Sequence, residues 1–340
     1  VQGSAGFAEK PGNLVLAPGS DLEKFRELAQ QGSQNNTHLW LQLGHAGALA
    51  YAPTSAPKGP SPLDLPKLKC AGLSRDEIQD LPAEFGRTAR MARDTGFGGV
   101  QIHAAHGFLL SQFLSPLFNE RSDEFGGTIE NRMRLLLQTV AATREAVGPD
   151  FPIAVKLNSS DQLKGGFAEK DALAVVSALD GTSIDLIDIS GGTYFPGAES
   201  ASDGAGRGPY FLGFAKRARA LTTKPLMLTG GFKTRQQAED ALVSGAVDVI
   251  GLARALALEP ALPNHWMAGE LSAPVFPRFS ETPEGGITAW YTMRLTDIGE
   301  GAGSPGHREL RQAIQHYEAR DNARTEIWLR HFGRVGTVGS

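Results

Sequence analysis

Two histidines stand at the end of a short apolar run in Gln101-Ile-His-Ala-Ala-His-Gly-Phe108, preceded by the turn pair Gly98-Gly99. Strand alternation sends Val100 and Ile102 to one side and Gln101 and His103 to the other. His103 and His106, three residues apart past the strand end, can therefore converge on one point and hold a reactive oxygen by hydrogen bonds. Histidines at short spacing also bind zinc, but no Cys or Glu lies nearby at ligand spacing to complete a tetrahedral site, so no metal is expected. A pair of satisfied structural histidines is the plain alternative.

Other polar residues sit at the ends of apolar runs. Lys156 lies between Val155 and Leu157 in a segment otherwise buried, and a lysine is almost never fully buried without a partner. That partner is either a negative charge arriving with a ligand or a carboxylate such as Asp188. Thr229-Gly230-Gly231-Phe232 and Gly251-Leu-Ala253-Arg254 end two successive runs, where glycine lets backbone approach phosphate oxygens and arginine adds a charged contact. Gly204-Ala-Gly206-Arg-Gly208 follows no strand and opens no βαβ unit, so it is no dinucleotide fingerprint; it reads as a mobile loop over the site, with Arg207 a solvated charge.

The positioning elements follow from periodicity. Apolar runs at 38–43, 99–103, 153–158, 184–190, 225–229 and 247–253 alternate with helical patterns, as in a parallel α/β sheet. Ser74-Arg-Asp-Glu77 is a capping box opening a helix with Ile78, Leu81, Phe85, Ala89 and Ala92 on one face, and Pro82 is expected to kink its first turns or mark its true start. A helix over 130–147 should close on a left-handed Gly148, and Thr234-Arg-Gln-Gln237 opens another. The segments 290–298 and 309–332 are amphipathic helices, so residues 273–340 read as a helical extension packing on the barrel of 1–272 or on a partner.

The chain has 340 residues, 41% of them hydrophobic, enough for one large α/β domain. A net charge of −4, with 33 Lys and Arg scattered among 37 Asp and Glu, gives no basic field for nucleic acid. One cysteine, Cys70, rules out an internal disulfide framework and a four-thiolate iron–sulfur cluster and fits a reducing, cytoplasmic compartment. No apolar run approaches the roughly 18 residues of a membrane span, and the first residues do not form a signal peptide.

Taken with Gln42-Leu-Gly-His45, Val155-Lys-Leu-Asn158, Ser190-Gly-Gly192, Asn119-Glu-Arg121 and Glu130-Asn-Arg132, these motifs resemble the old yellow enzyme family of FMN-dependent oxidoreductases, in the family's order, over about residues 11–270. The resemblance implies a TIM-type (β/α) barrel with its site at the C-terminal ends of the strands. Only six of eight βα units are readable. The expectation is an N-terminally incomplete copy, or a domain that closes its barrel with another chain.

By resemblance, Gln42 bonds the pyrimidine edge of the flavin, Lys156 offsets the charge of the reduced ring, and Gly230, Gly231, Ala253 and Arg254 hold its phosphate. His103 and His106 hold the carbonyl oxygen of the substrate. NADH or NADPH reduces the FMN, and a small-molecule acceptor, an activated alkene, quinone or nitro compound, reoxidises it. The protein is expected to act without a membrane or nucleic acid, with a homo-oligomer as its one expected protein assembly. Two departures stand out: Phe108 occupies the family's proton-donor tyrosine position, which predicts that water supplies the proton, and Gly47-Ala48 replaces a Gly-Arg. The rival expectation is a degenerate member acting as a partner-dependent scaffold.

Overall fold

The computed structural model describes the chain apart from residues 67, 196–207, 280, 281, 284, 302–308 and 336–340. The loop read as covering the site, including Arg207, lies outside the described residues except for Gly208. The described strands are β1 (Trp40–Leu43), β2 (Lys58–Gly59), β3 (Leu63–Leu65), β4 (Leu68–Gly72), β5 (Gly99–Ala104), β6 (Ile153–Asn158), β7 (Leu186–Ser190), β8 (Leu226–Thr229) and β9 (Val249–Gly251). The described helices are α1 (Leu22–Gly32), α2 (Arg75–Asp94), α3 (Leu109–Leu114), α4 (Ile129–Arg132), α5 (Arg134–Val147), α6 (Glu169–Asp180), α7 (Leu212–Arg219), α8 (Arg235–Val243), α9 (Arg254–Leu258), α10 (Leu262–Met267), α11 (Gly286–Gly299) and α12 (Leu310–Phe332).

Six strands form one parallel sheet in the order β1-β5-β6-β7-β8-β9, each run expected from the sequence contributing one. Helices intervene between successive strands, the βα alternation of a TIM-type barrel. β9 keeps only three residues of the longer apolar run, since it pairs with β8 alone among the described strands. β2, β3 and β4 form a second, small sheet that the apolar pattern did not signal.

The alternation inferred for β5 holds: Val100 and Ile102 are fully buried in the main apolar core, on the face opposite Gln101 and His103. In β6 all six residues are buried, so Lys156 is enclosed as anticipated. The Ser74 capping box forms with both hydrogen bonds. Pro82 does not break α2, which runs unbroken from Arg75 because Ile78, Leu81 and Phe85 bury the apolar face beside α5. Packing outweighs the local cost of about 3 kcal/mol for an interior proline. The helix expected over 130–147 is divided at Met133 into α4 and α5. Gly148 has the positive φ expected of it, 84°, but a ψ of 177°, so it is not left-handed helical.

The C-terminal helices pack on the rest of the chain. α11 lies against α9, where buried Arg294 donates through Nε to the Ala257 carbonyl at 3.0 Å. On α12, Trp328 is buried against Ala5 and Ala8, and Asp321 pairs with Lys10 at 3.8 Å. No described helix is long and apolar enough to cross a membrane.

Candidate functional site

Register sets the polar inner row. Gln42 of β1 lies opposite Gln101 of β5, and His103 opposite Lys156 of β6, which lies opposite Asp188 of β7. These positions share one face of the sheet because side chains alternate with period two and neighbouring strands are in phase. Their side chains form a chain of hydrogen bonds: Gln42 Nε2 donates to Gln101 Oε1 at 2.6 Å, and Gln101 Nε2 to Asp188 Oδ2 at 3.0 Å. Lys156 Nζ donates to the same Oδ2 at 2.6 Å, and Thr229 Oγ1 to Asp188 Oδ1 at 2.8 Å. Lys156 is thus in contact with the carboxylate that the sequence offered as one of its two partners.

Asp188 gathers β5, β6 and β8 through one buried carboxylate, and Gln101 carries the chain on to Gln42 of β1. Buried charge is tolerated only when paired and hydrogen-bonded, and three donors here supply that. Gln101 and Thr229 were not singled out from the sequence. The signal for Gln101 was its place on the same strand face as His103; for Thr229 no local signal existed.

The histidines do converge. Their ring centroids lie 5.1 Å apart, edge to face, and Phe108 meets His103 at 4.8 Å. His103 Nδ1 accepts from the Ala105 amide at 3.2 Å, which leaves Nε2 to carry the proton of the neutral ring. His106 sits at φ 61°, a left-handed conformation rare for a residue with a side chain. It is held there by its amide on Asn158 Oδ1 at 3.1 Å and its Nε2 against Ser190 Oγ at 2.9 Å. Non-glycine residues in this region are strained and persist where the surroundings over-determine them.

Electrostatics keep both rings uncharged at neutral pH. Burial, with the nearby His106 and Lys156, holds His103 well below the usual histidine range. Burial, with Lys156, lowers His106 to about 3. His45, stacked on Phe7 with centroids 3.8 Å apart and accepting from the Gly47 amide through Nδ1 at 2.9 Å, is lowered by burial to about 3. The histidine pair thus offers neutral N–H donors in a low-dielectric site, where each is worth more than in water.

At the ends of β8 and β9, Gly230 and Gly231 have φ of 126° and 87°. A Cβ on Gly231 would lie 2.2 Å from the Gly208 carbonyl oxygen, so backbone approach there requires glycine. Arg254, on the first turn of α9, makes no ion pair among the described residues; its guanidinium lies 5.7 Å over the Tyr291 ring of α11. Ala253 is exposed beside it. A cation with no ion pair among the described residues, following the strand that pairs with the one ending in two positive-φ glycines, fits a phosphate group.

The departures from the resemblance acquire reasons. Ala48 is fully buried with Phe118 and Phe195, and its amide donates to Gln112 Oε1 at 3.0 Å, so an arginine there would have to displace an apolar cluster. Asn131 and Arg132 of the matching motif tie the fold together: buried Arg132 donates to the Gly127 carbonyl and pairs with Asp171 at 2.8 Å, and Asn131 Oδ1 accepts from Arg134 at 2.8 Å. Tyr194, in the loop after β7, has its ring centroid 5.7 Å from that of His106 and 5.9 Å from that of Phe108. Among the described residues no group of three His, Cys, Asp or Glu is placed to hold a metal ion.

Residues 3–270 match the model of the NADH:flavin oxidoreductase / NADH oxidase family. The NADH-dependent flavin oxidoreductase iliE of Neonectria sp. (strain DH2) is 38% identical over 204 residues, 56% of this chain and 26% of that protein. The NADPH dehydrogenase of Bacillus licheniformis is 34% identical over 255 residues, 74% of this chain and 73% of that one. Among solved structures, the old yellow enzyme homologue from Zymomonas mobilis superimposes with a TM-score of 0.68 at 25% identity, covering 84% of this chain and 82% of that one. The 2-naphthoyl-CoA reductase complex gives a TM-score of 0.73 at 26% identity, covering 79% of this chain and 44% of that one. The chain spans between 26% and 64% of the length of the first several curated relatives.

Proposed function

This chain belongs to the NADH:flavin oxidoreductase / NADH oxidase family, and from that membership we propose that it is an ene-reductase-type oxidoreductase that passes electrons from NADH or NADPH through FMN to an activated alkene, a quinone or a nitro compound. FMN is the cofactor that membership assigns, and the residues present suit it. Gln42 would offer an amide to the pyrimidine edge of the flavin, and Lys156 a cation to offset the charge of the reduced ring. Gly230, Gly231, Ala253 and Arg254 offer a phosphate cradle. Bound FMN would supply a hydride to the β-carbon of the acceptor.

The chain's own residues bind and polarise that acceptor. The Ala105 amide leaves Nε2–H of His103 free, and in the tautomer in which Ser190 donates its hydroxyl to His106 Nε2, the His106 ring carries its proton on Nδ1. Two neutral donors on one carbonyl oxygen stabilise the enolate that forms as the β-carbon is reduced. The observation that carries the reading is this convergence of two uncharged histidines beside a buried lysine in the same inner row.

Titrating the purified chain with FMN while following flavin fluorescence, then adding NADH or NADPH and benzoquinone, tests it. Binding with flavin reduction and reoxidation by the quinone is expected. In His103→Ala/His106→Ala, FMN should still bind while turnover falls by about 10²-fold or more, as for loss of oxyanion donors. A chain that binds no FMN, or whose turnover ignores both histidines, overturns the proposal.

A further inference from the structure

Reduction of an alkene needs a proton on carbon, and Phe108 has none to give. The loop after β7 brings a phenol ring to within 5.9 Å of the Phe108 ring. Tyr194 donates its amide to the His106 carbonyl at 3.0 Å, and Thr193 pairs with His106 in a short bridge. Gly107, at φ 79°, permits this approach: a Cβ there would lie 2.0 Å from Thr193 Oγ1. On the other side, Phe195 is buried and stacked on Phe118 at 3.8 Å and 18°. The backbone on both sides of Tyr194 is therefore anchored.

Its side chain is not buried between those anchors. Tyr194 keeps 56% of its surface exposed, with its ring edge-on to His106 at 5.7 Å and tilted to Phe108 at 5.9 Å. An accessible phenol thus stands beside the histidine pair, on the side of the Phe108 ring. No comparable hydroxyl is offered by Ser190, which is engaged with His106.

Resting on the functional reading above, we propose that Tyr194 is the proton donor for alkene substrates, in place of the hydroxyl that position 108 lacks. As hydride from the reduced cofactor forms the new C–H bond at the β-carbon, the π pair of the alkene moves to the α-carbon and the carbonyl oxygen held by His103 and His106. The α-carbon then takes the proton of the Tyr194 hydroxyl, the O–H bond breaks, and the phenolate recovers a proton from solvent. A tyrosine phenol ordinarily titrates at about 10, so it carries its proton at neutral pH. Quinones need no carbon protonation and should not depend on this step.

The test compares wild type, Tyr194→Phe and Tyr194→Phe/Phe108→Tyr. Each is loaded with FMN, photoreduced, and mixed anaerobically with cyclohexenone or benzoquinone in a stopped-flow instrument. Loss of a positioned general acid predicts an enone rate lower by about 10²- to 10⁴-fold in Tyr194→Phe, with little change for the quinone. The enone dissociation constant, read from the absorbance shift of the oxidised flavin, should be unchanged, and Phe108→Tyr should restore much of the enone rate. An unchanged enone rate, or parallel losses with both acceptors, overturns the assignment of Tyr194. If wild type does not reoxidise with the quinone either, the functional reading fails and this proposal with it.

Discussion

Lys156 Nζ and Asp188 Oδ2 lie 2.6 Å apart, with both side chains less than a tenth exposed, so the cation expected to serve a flavin already has a structural counter-charge. Asp188 also accepts from Gln101 and Thr229, whereas Lys156 has no second hydrogen bond among the described residues. The two members of the pair should therefore differ on substitution.

Asp188→Ala strands a buried ammonium and should cost about 3–5 kcal/mol, as when one partner of a buried ion pair is removed. Lys156→Met leaves Asp188 with two donors and an apolar stem of similar length, and should cost less. In FMN-loaded protein it should also lower the reduction potential, since no cation offsets the reduced ring. Urea unfolding and a redox titration measure both effects. Equal destabilisation, or an unchanged potential, would confine Lys156 to a structural role.

His45 and His106 bear on the acid side of the stability curve. Their folded values of about 3 lie below the usual 6.5, so between those limits the unfolded chain binds protons that the folded chain refuses. Stability is then full above about pH 6.5 and falls as pH drops toward 3, by roughly 1.4 kcal/mol per pH unit for each histidine. Replacing His45 with Gln should remove about that much slope between pH 6 and 4. Denaturation midpoints taken across this range decide it, and identical slopes in the two proteins would count against a buried neutral His45.

Gly107 and Gly127 separate strain from collision. Both have positive φ, 79° and 82°, but only a Cβ at Gly107 meets a neighbour, Thr193 Oγ1 at 2.0 Å, while nothing lies within 4 Å at Gly127. Gly127→Ala should cost about 1–2 kcal/mol, the left-handed penalty alone. Gly107→Ala should cost more, about 3 kcal/mol, by pushing the Thr193–Phe195 loop off His106. Comparable losses in chemical denaturation would mean the loop yields freely.

Arg254→Gln should raise the dissociation constant of FMN by about 10- to 100-fold, the worth of one charged hydrogen bond. Riboflavin, which lacks the phosphate, should bind both proteins alike. Fluorescence titrations with the two flavins provide the readout, and a matching loss for riboflavin would place Arg254 away from the phosphate.

The sequence by itself determined the parallel sheet, the inward face of β5 and the placing of His103, His106, Lys156 and the Gly230–Gly231 and Arg254 ends. Each of these follows from period-two alternation and from glycines at strand ends, and both are written in a few consecutive residues. Tertiary structure alone decided that α2 continues through Pro82, where packing on α5 outweighs the local cost. It also decided that Asp188 is the partner of Lys156, that Ala48 is sealed beneath Phe118 and Phe195, and that Tyr194 reaches His106. Gln101 is 87 residues from Asp188 and Lys156 is 32, and no local pattern carries such contacts. They arise when strand register and loop packing bring separate segments to one face, and the chain sets that register only by burying its whole core together.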